Sequence, residues 1–149
     1  MERNNLYPIF LKASTLNFLI VGGGNVALEK LNFLLKSSPD ANVEMVSTMF
    51  REETIALASK HKIKMIVAEY NLAYLKNKHI VVATTDNILV NEQVYYDCKA
   101  ENILVNVADN PPFCDFYMGG IVTKGNVKVA ISTNGKSPTT AKRLRQFFE

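Results

Sequence analysis

Ile20-Val21-Gly22-Gly23-Gly24-Asn25-Val26-Ala27 is the stretch whose reading decides the fold. The apolar run Phe18-Leu19-Ile20-Val21 leads into three glycines and suits a strand buried on both faces. Behind the glycines, Ala27, Leu28, Leu31, Leu34 and Leu35 recur at helical spacing until Pro39 stops the helix. Gly22, Gly24 and Ala27 fill the three small positions of a G-x-G-x-x-A pattern. Each position meets its own demand: a tight turn at Gly22, backbone approach by a pyrophosphate at Gly24, and close helix–sheet packing at Ala27. The helix start adds N–H donors and the positive end of a dipole. A glycine pattern alone often marks only a tight turn, but strand before and helix after are the context a dinucleotide requires. Gly22, Gly23, Gly24, Asn25 and Val26 are the first candidate cofactor contacts.

Outward from this turn, short β-rich runs alternate with helical patterns. Residues 43–46, 64–68, 79–83 and 103–107 read as strands, and residues 52–60 as a helix in which Ile55, Leu57 and Ala58 are apolar. Residues 71–76 are ambiguous. Asp86 or Asn87 caps a further helix, with Val90, Val94, Tyr95 and Cys98 turned inward. This order predicts an open parallel α/β sheet with helices on both faces and right-handed crossovers.

The pattern breaks after Asp109, where Asn110-Pro111-Pro112 forbids a helix or a central strand. Two apolar runs, residues 120–124 and 127–132, flank Gly125-Asn126 and predict a β-hairpin. Ser137-Pro138 starts a last helix, residues 139–148, with Ser137 as cap. That helix runs to the terminus with Phe147 and Phe148 apolar, which suggests a shortened chain or a partner over those rings. The expected division is residues 1–112 as a nucleotide-binding domain and residues 113–149 as a hairpin-and-helix region.

In open α/β sheets ligands sit beyond the carboxyl ends of the strands. Asn25, Ser47, Thr48, Thr84, Thr85, Asp86, Asn106 and Asp109 all fall at such ends, with Val107 closing the fifth strand. The blander reading of Asp86 is a helix cap, that of Asn106 a loop hydrogen bond, and that of Asp109 an Asp-Asn-Pro turn. After the second strand, where an acid commonly holds the ribose, stand Ser47 and Thr48. Their hydroxyls can bond a ribose and leave the choice between NAD and NADP open; apart from Arg51 no Arg marks a 2′-phosphate pocket, and NAD is the expected cofactor.

The 149 residues, 48% hydrophobic and 21% charged, can bury a core without disulfides or a structural metal. A net charge of +3 does not argue for nucleic acid and suits a small polyanion. Apolar runs fall far short of the ~20 residues that cross a bilayer, so no membrane span and a cytoplasmic location are expected. Cys98 and Cys114 form no CxxC pair and read as buried free thiols, and His61 and His79 lack partners at metal spacing. No protein metal site is expected.

Several longer stretches resemble one family. They are Tyr7-Pro8-Ile9-Phe10-Leu11-Lys12, residues 19–30 around the glycines, Ala83-Thr84-Thr85-Asp86 with Asn91, Val105-Asn106-Val107-Ala108-Asp109, Cys114-Asp115-Phe116, and residues 129–138. In this order they resemble the siroheme-synthase N-terminal domain, the precorrin-2 dehydrogenase / sirohydrochlorin ferrochelatase family.

The resemblance implies a Rossmann-like sheet, then a small β-hairpin dimerisation region and a C-terminal helix, working as a homodimer. It implies NAD-dependent oxidation of precorrin-2 to sirohydrochlorin, with insertion of ferrous or cobaltous ion by the same domain in some members. Asp109 matches the family's essential aspartate and would take the proton while NAD takes the hydride. Lys136, Arg143 and Arg145, among the basic residues of the last third, would meet the substrate's carboxylates, with Asn106, Ser132, Thr133 and Ser137 beside them. Guanidinium forks rank ahead of ammonium groups for that task. Two rivals are kept: a nucleotide-sensing regulatory module without chemistry, and a small reductase using Tyr95 and Lys99. The second pair reads more simply as a packed Tyr and an exposed Lys.

Overall fold

A computed structural model describes residues 2–149 of the chain. The apolar run 18–21 forms the centre of strand β1 (Asn17–Val21), and the helical repeat behind the glycines forms α1 (Asn25–Ser37). There follow β2 (Asn42–Ser47), α2 (Glu52–Lys60), β3 (Lys64–Val67), β4 (Ile80–Ala83), α3 (Ile88–Ala100) and β5 (Leu104–Val107). The five strands are parallel in the order β3-β2-β1-β4-β5. The chain therefore winds one way from β1 to β3, then returns to β1's other side with β4. This reversal makes a topological switch point between β1 and β4.

Alternation along β1 explains why its residues 18–21 must all be apolar. Leu19 and Val21 join a buried cluster with Val81, Ala83, Val105 and Val107, closed by Val94 and Cys98 of α3. Phe18 and Ile20, on the opposite face, are equally buried, and α1 brings Ala27, Leu31 and Leu35 inward. A central parallel strand has no wet face to spend on polar residues.

Several open readings are settled and one, the burial of Cys114, is corrected. Residues 71–76 hold a 3-10 turn (Leu72–Leu75) capped by Asn71, whose Oδ1 accepts from Ala73 N. In α2 it is Thr54 and Ala58 that are buried, while Ile55 is exposed. Asn87, not Asp86, caps α3, accepting from Leu89 N and Val90 N at 3.0 and 3.3 Å. Cys98 is buried as expected, but Cys114 is only half-buried.

The chain forms two compact units. The sheet unit is Lys12–Tyr117. The hairpin unit joins residues 2–11 to Met118–Glu149 and contains β6 (Gly120–Lys124), β7 (Val127–Ile131) and α4 (Pro138–Phe148). β6 and β7 pair antiparallel around Gly125, whose φ of +57° suits the tight two-residue connection. Ser137 Oγ accepts from Thr140 N at 3.2 Å and caps α4 as its sequence predicts.

Candidate nucleotide site and the Asp109 turn

Gly22 leaves β1 with φ +132°, and its N–H donates to Val46 O at 2.9 Å. A side chain here would collide with Thr84 Oγ1. That hydroxyl is buried and donates to Val21 O at 2.9 Å, so Thr84 acts as the wall against which the chain turns. Gly23 is closed in as well, since a Cβ would run into Met49 O and the Phe50 ring. Its carbonyl accepts from Arg51 N at 2.9 Å, tying the turn to the loop after β2.

Gly24 is different, because a Cβ there would meet nothing within 4 Å. Gly24 is also the N-cap of α1 and has no side chain to cap it. The first helical bond runs from Leu28 N to Gly24 O. The N–H groups of Asn25, Val26 and Ala27 thus lack a helical acceptor. Two glycines are closed by protein and the third is open, beside unclaimed donors at a 13-residue helix start. These residues fit a pyrophosphate: its anionic oxygens would take the place of the missing cap.

The other predicted cofactor residues fall around this turn in unequal ways. Ser47 Oγ donates to Met49 O at 2.8 Å, so it shapes its own loop, while Thr48 stands exposed beside it. Thr85 lies just past β4 and Asp86 is exposed, free of the capping task. Val107 is buried, and its carbonyl accepts from Asn110 N at 3.1 Å. The paired row Val21, Ala83, Val107 crosses three strands. Asp109 therefore shares the carboxyl edge with the glycine turn, two strand spacings or about 10 Å away.

Asp109 is exposed and has φ +60°, a left-handed conformation uncommon outside glycine. It is the third residue of a turn closed by Asn110 N to Val107 O, and Ala108 N is held by Ala83 O at 2.9 Å. Asn106 faces away from this role. It is buried, and its Nδ2 donates to Phe116 O at 2.8 Å.

One residue at this edge went unread as a site residue. Asn91, buried on the inner side of α3, accepts from Thr85 N at 3.2 Å and from Thr85 Oγ1 at 2.6 Å, and donates to Thr85 O at 2.9 Å. It fixes the chain where β4 ends. The signals available were its place in the family-like stretch 83–91 and its polar character at a helical position between Val90 and Val94. Tyr95 stacks on Phe113 with centroids 4.4 Å apart, and Lys99 pairs with Asp115 at 2.7 Å. That is the packed Tyr and exposed Lys of the simpler reading.

In the hairpin unit, Ser132 is exposed and its Oγ accepts from Asn134 N at 3.1 Å. Thr133 Oγ1 accepts from Ser137 N at 3.2 Å, so Thr133 and Ser137 together fix the start of α4. Lys136 pairs with Glu2 at 3.2 Å and Arg145 with Glu149 at 3.0 Å; Arg143 is exposed. Among the described residues no group of His, Cys, Asp and Glu could hold a metal ion, and no helix is long and apolar enough to cross a membrane.

A switch-point glycine turn at the head of a helix, on a five-stranded parallel sheet, defines a dinucleotide-binding protein of the Rossmann type. Residues 9–120 match the family described as putative NAD(P)-binding, and the chain belongs to that family. Residues 124–149 match the central segment of sirohaem biosynthesis proteins. The chain is 39% identical over 145 residues to a siroheme synthase of Psychrobacter sp. (strain PRwf-1), covering 97% of this chain and 29% of that protein. It is 41% identical over 142 residues to the siroheme synthase of Pseudoalteromonas translucida (strain TAC 125), covering 95% of this chain and 30% of the relative. It thus spans under a third of the curated relatives it matches. Among solved structures it superposes on SirC, precorrin-2 dehydrogenase, with a TM-score of 0.82 at 24% identity, covering 97% of this chain and 69% of that one. That likeness bears out the expected fold.

Proposed function

We propose that the chain carries out the NAD-dependent dehydrogenation of precorrin-2 to sirohydrochlorin. The observation that carries this reading is the shared edge: an exposed carboxylate at φ +60°, two strands along the same edge from an open, uncapped glycine turn. The names of the similar proteins, siroheme synthase and precorrin-2 dehydrogenase, supply the substrate.

NAD held at the turn supplies the hydride acceptor. Gly24 with the N–H groups of Asn25 and Val26 holds the pyrophosphate, and the exposed Thr48 and Asp86, with the half-buried Thr85 between strand and helix, line the path along the sheet edge. The Asp109 carboxylate accepts the proton that leaves the substrate as the hydride departs. The balance is two electrons and one proton to NAD and one proton to the carboxylate. The hairpin unit has the complementary task. Lys136, Arg143 and Arg145 bind the carboxylates of the tetrapyrrole, near Ser132, Thr133 and Ser137, and the unit pairs with its copy in a homodimer. Ferrous or cobaltous ion is a further substrate, inserted into the product while Asp109 takes up pyrrole protons. The reaction belongs in the cytoplasm.

The test is direct. The protein is mixed with precorrin-2 and NAD, and the sirohydrochlorin spectrum is followed, with NADP as the comparison. Asp109→Asn keeps a side chain that tolerates the left-handed conformation and removes only the base. The expected result is unchanged nucleotide affinity and a loss of turnover of about 100-fold or more. Full turnover by the Asn variant would remove Asp109 from the mechanism. Tight nucleotide binding with no turnover by the unmodified protein would favour a nucleotide-sensing module.

A further inference from the structure

Asp109 pays a conformational cost that only its surroundings can impose, since a non-glycine residue at positive φ persists where neighbours over-determine it. Those neighbours are found in the residues that follow. After the short 3-10 turn Pro111–Phe113, the chain doubles back along the outer edge of β5. Asp115 N donates to Val105 O at 2.8 Å, and Asp115 Oδ2 accepts from Val105 N at 3.0 Å. One residue thus gives β5 both the donor and the acceptor that a sixth strand would have supplied. Asn106 bridges to Cys114 in the same register and holds Phe116 O.

Two side chains of α3, one turn apart, clamp this returning segment. Tyr95 stacks on Phe113 with an interplanar angle of 14°, and Lys99 Nζ donates to Asp115 Oδ1 at 2.7 Å. The segment in turn grips the Asp109 turn. Cys114 Sγ lies 3.2 Å from Val107 O and 3.3 Å from Asn110 O, the first and last residues of that turn. Burial raises the Cys114 thiol above its ordinary pKa, so it stays protonated and able to donate.

We infer that Cys114 is a positioning residue for the reaction: clamped by Tyr95 and Lys99 of α3 through the strap 113–116, it bridges both ends of the turn that carries Asp109 and so sets where the base stands. This rests on the reading of Asp109 as that base. A carboxylate displaced by about 1 Å can lose up to 10²-fold in rate, while nucleotide contacts at the glycine turn are untouched.

The experiment compares Cys114→Ala with Cys114→Ser, which restores a donor of similar size. The Ala variant is expected to lower kcat about tenfold, leave the Kd for nucleotide unchanged, and speed hydrogen exchange of the Asn110 amide that closes the turn. The Ser variant should recover most of both. Placed on Asp109→Asn, Cys114→Ala should cost nothing further. If Asp109→Asn is inactive but Cys114→Ala keeps full kcat and normal exchange at Asn110, the inference fails and the base assignment stands. If Ser is as impaired as Ala, packing rather than the thiol bridge is responsible, and the inference is again overturned. If Asp109→Asn keeps its turnover, the base assignment itself has failed. Should Cys114→Ala not fold, Lys99→Met, a change at an exposed side chain, loosens the same strap and is judged by the same readouts.

Discussion

In the sheet unit apolar side chains bury one another, whereas in the hairpin unit nearly all of them stay exposed or half-exposed. Among the described residues every buried apolar side chain except Val122 belongs to Lys12–Tyr117. The hairpin unit has two strands and one helix, and no residue of that helix is buried. Leu144, Phe147 and Phe148 of α4 are exposed, as are Tyr7, Ile9 and Phe10 of the same unit. A lone two-stranded hairpin is at best marginally stable in water. The contrast teaches that the glycine turn and Asp109 stand on a buried apolar core, while the part proposed to bind substrate leaves most of its apolar side chains uncovered. A second copy is the cover that the proposed function supplies.

The largest effect should come from Gly22→Ala. The new methyl would collide with Thr84 Oγ1 at a φ of +132°, and a cost of about 3 kcal/mol or more is expected. Gly24→Ala, two residues on, meets open space and should leave the urea midpoint almost unmoved while weakening nucleotide binding about tenfold. Equal loss of stability in both variants would show that the turn is not divided into a closed and an open half.

Next comes the core itself. Leu31 is fully buried in the sheet unit, and Leu31→Ala should cost about 3 kcal/mol. Val122→Ala, at the single buried apolar position among the described residues of the hairpin unit, should cost only about 1 kcal/mol. If the contrast is right, the second change should also weaken self-association, read by light scattering. A Val122 cost matching that of Leu31 would give the hairpin unit a core of its own and end the comparison.

Alkaline pH should single out the sheet unit too. Burial, with the neighbouring Asp97 charge, pushes the Cys98 thiol up to about 12 from its ordinary value of 9.0. Burial and a hydrogen bond to Asp97 raise the Tyr70 phenol as well. The unfolded chain sheds the thiol proton above pH 9 while the folded chain keeps it. Stability from this group is therefore complete below pH 9 and is lost as pH rises toward 12. The urea midpoint should fall across that window, and Cys98→Val should flatten part of the fall. A midpoint that holds steady to pH 11 would contradict it.

What could be read beforehand follows the same division. The glycine turn, the limits of α2, the hairpin around Gly125 and the Ser137 cap rest on neighbours in the chain, where spacing and propensity act. What was hidden depends on distant partners. Thr54 is buried while its apolar neighbour Ile55 is exposed, because which face of α2 turns inward depends on the sheet and α1 beside it, and its own pattern does not reveal that. Asn91 looks like an intrusion in an apolar face until Thr85 is set beside it. The doubling back of residues 113–116 exists only once β5 offers an edge. The union of residues 2–11 with the hairpin unit had no sequence signal at all.

The smallest effect is expected where the hairpin unit's charges meet. Lys136 and Glu2 lie 3.2 Å apart, but their side chains are 68% and 83% exposed. An ion pair so well hydrated gains little, because water and salt screen it and two flexible side chains must be held still. Lys136→Ala should therefore change the urea midpoint no more than raising salt does, an effect under about 0.5 kcal/mol. The ammonium group's value should lie instead in meeting an anion. Under the proposed function the same variant should raise KM for the polycarboxylate substrate several-fold with kcat unchanged. A loss of stability well beyond that limit would mean that the hairpin unit relies on the pair for its fold, and the charge would then not be spare for a ligand.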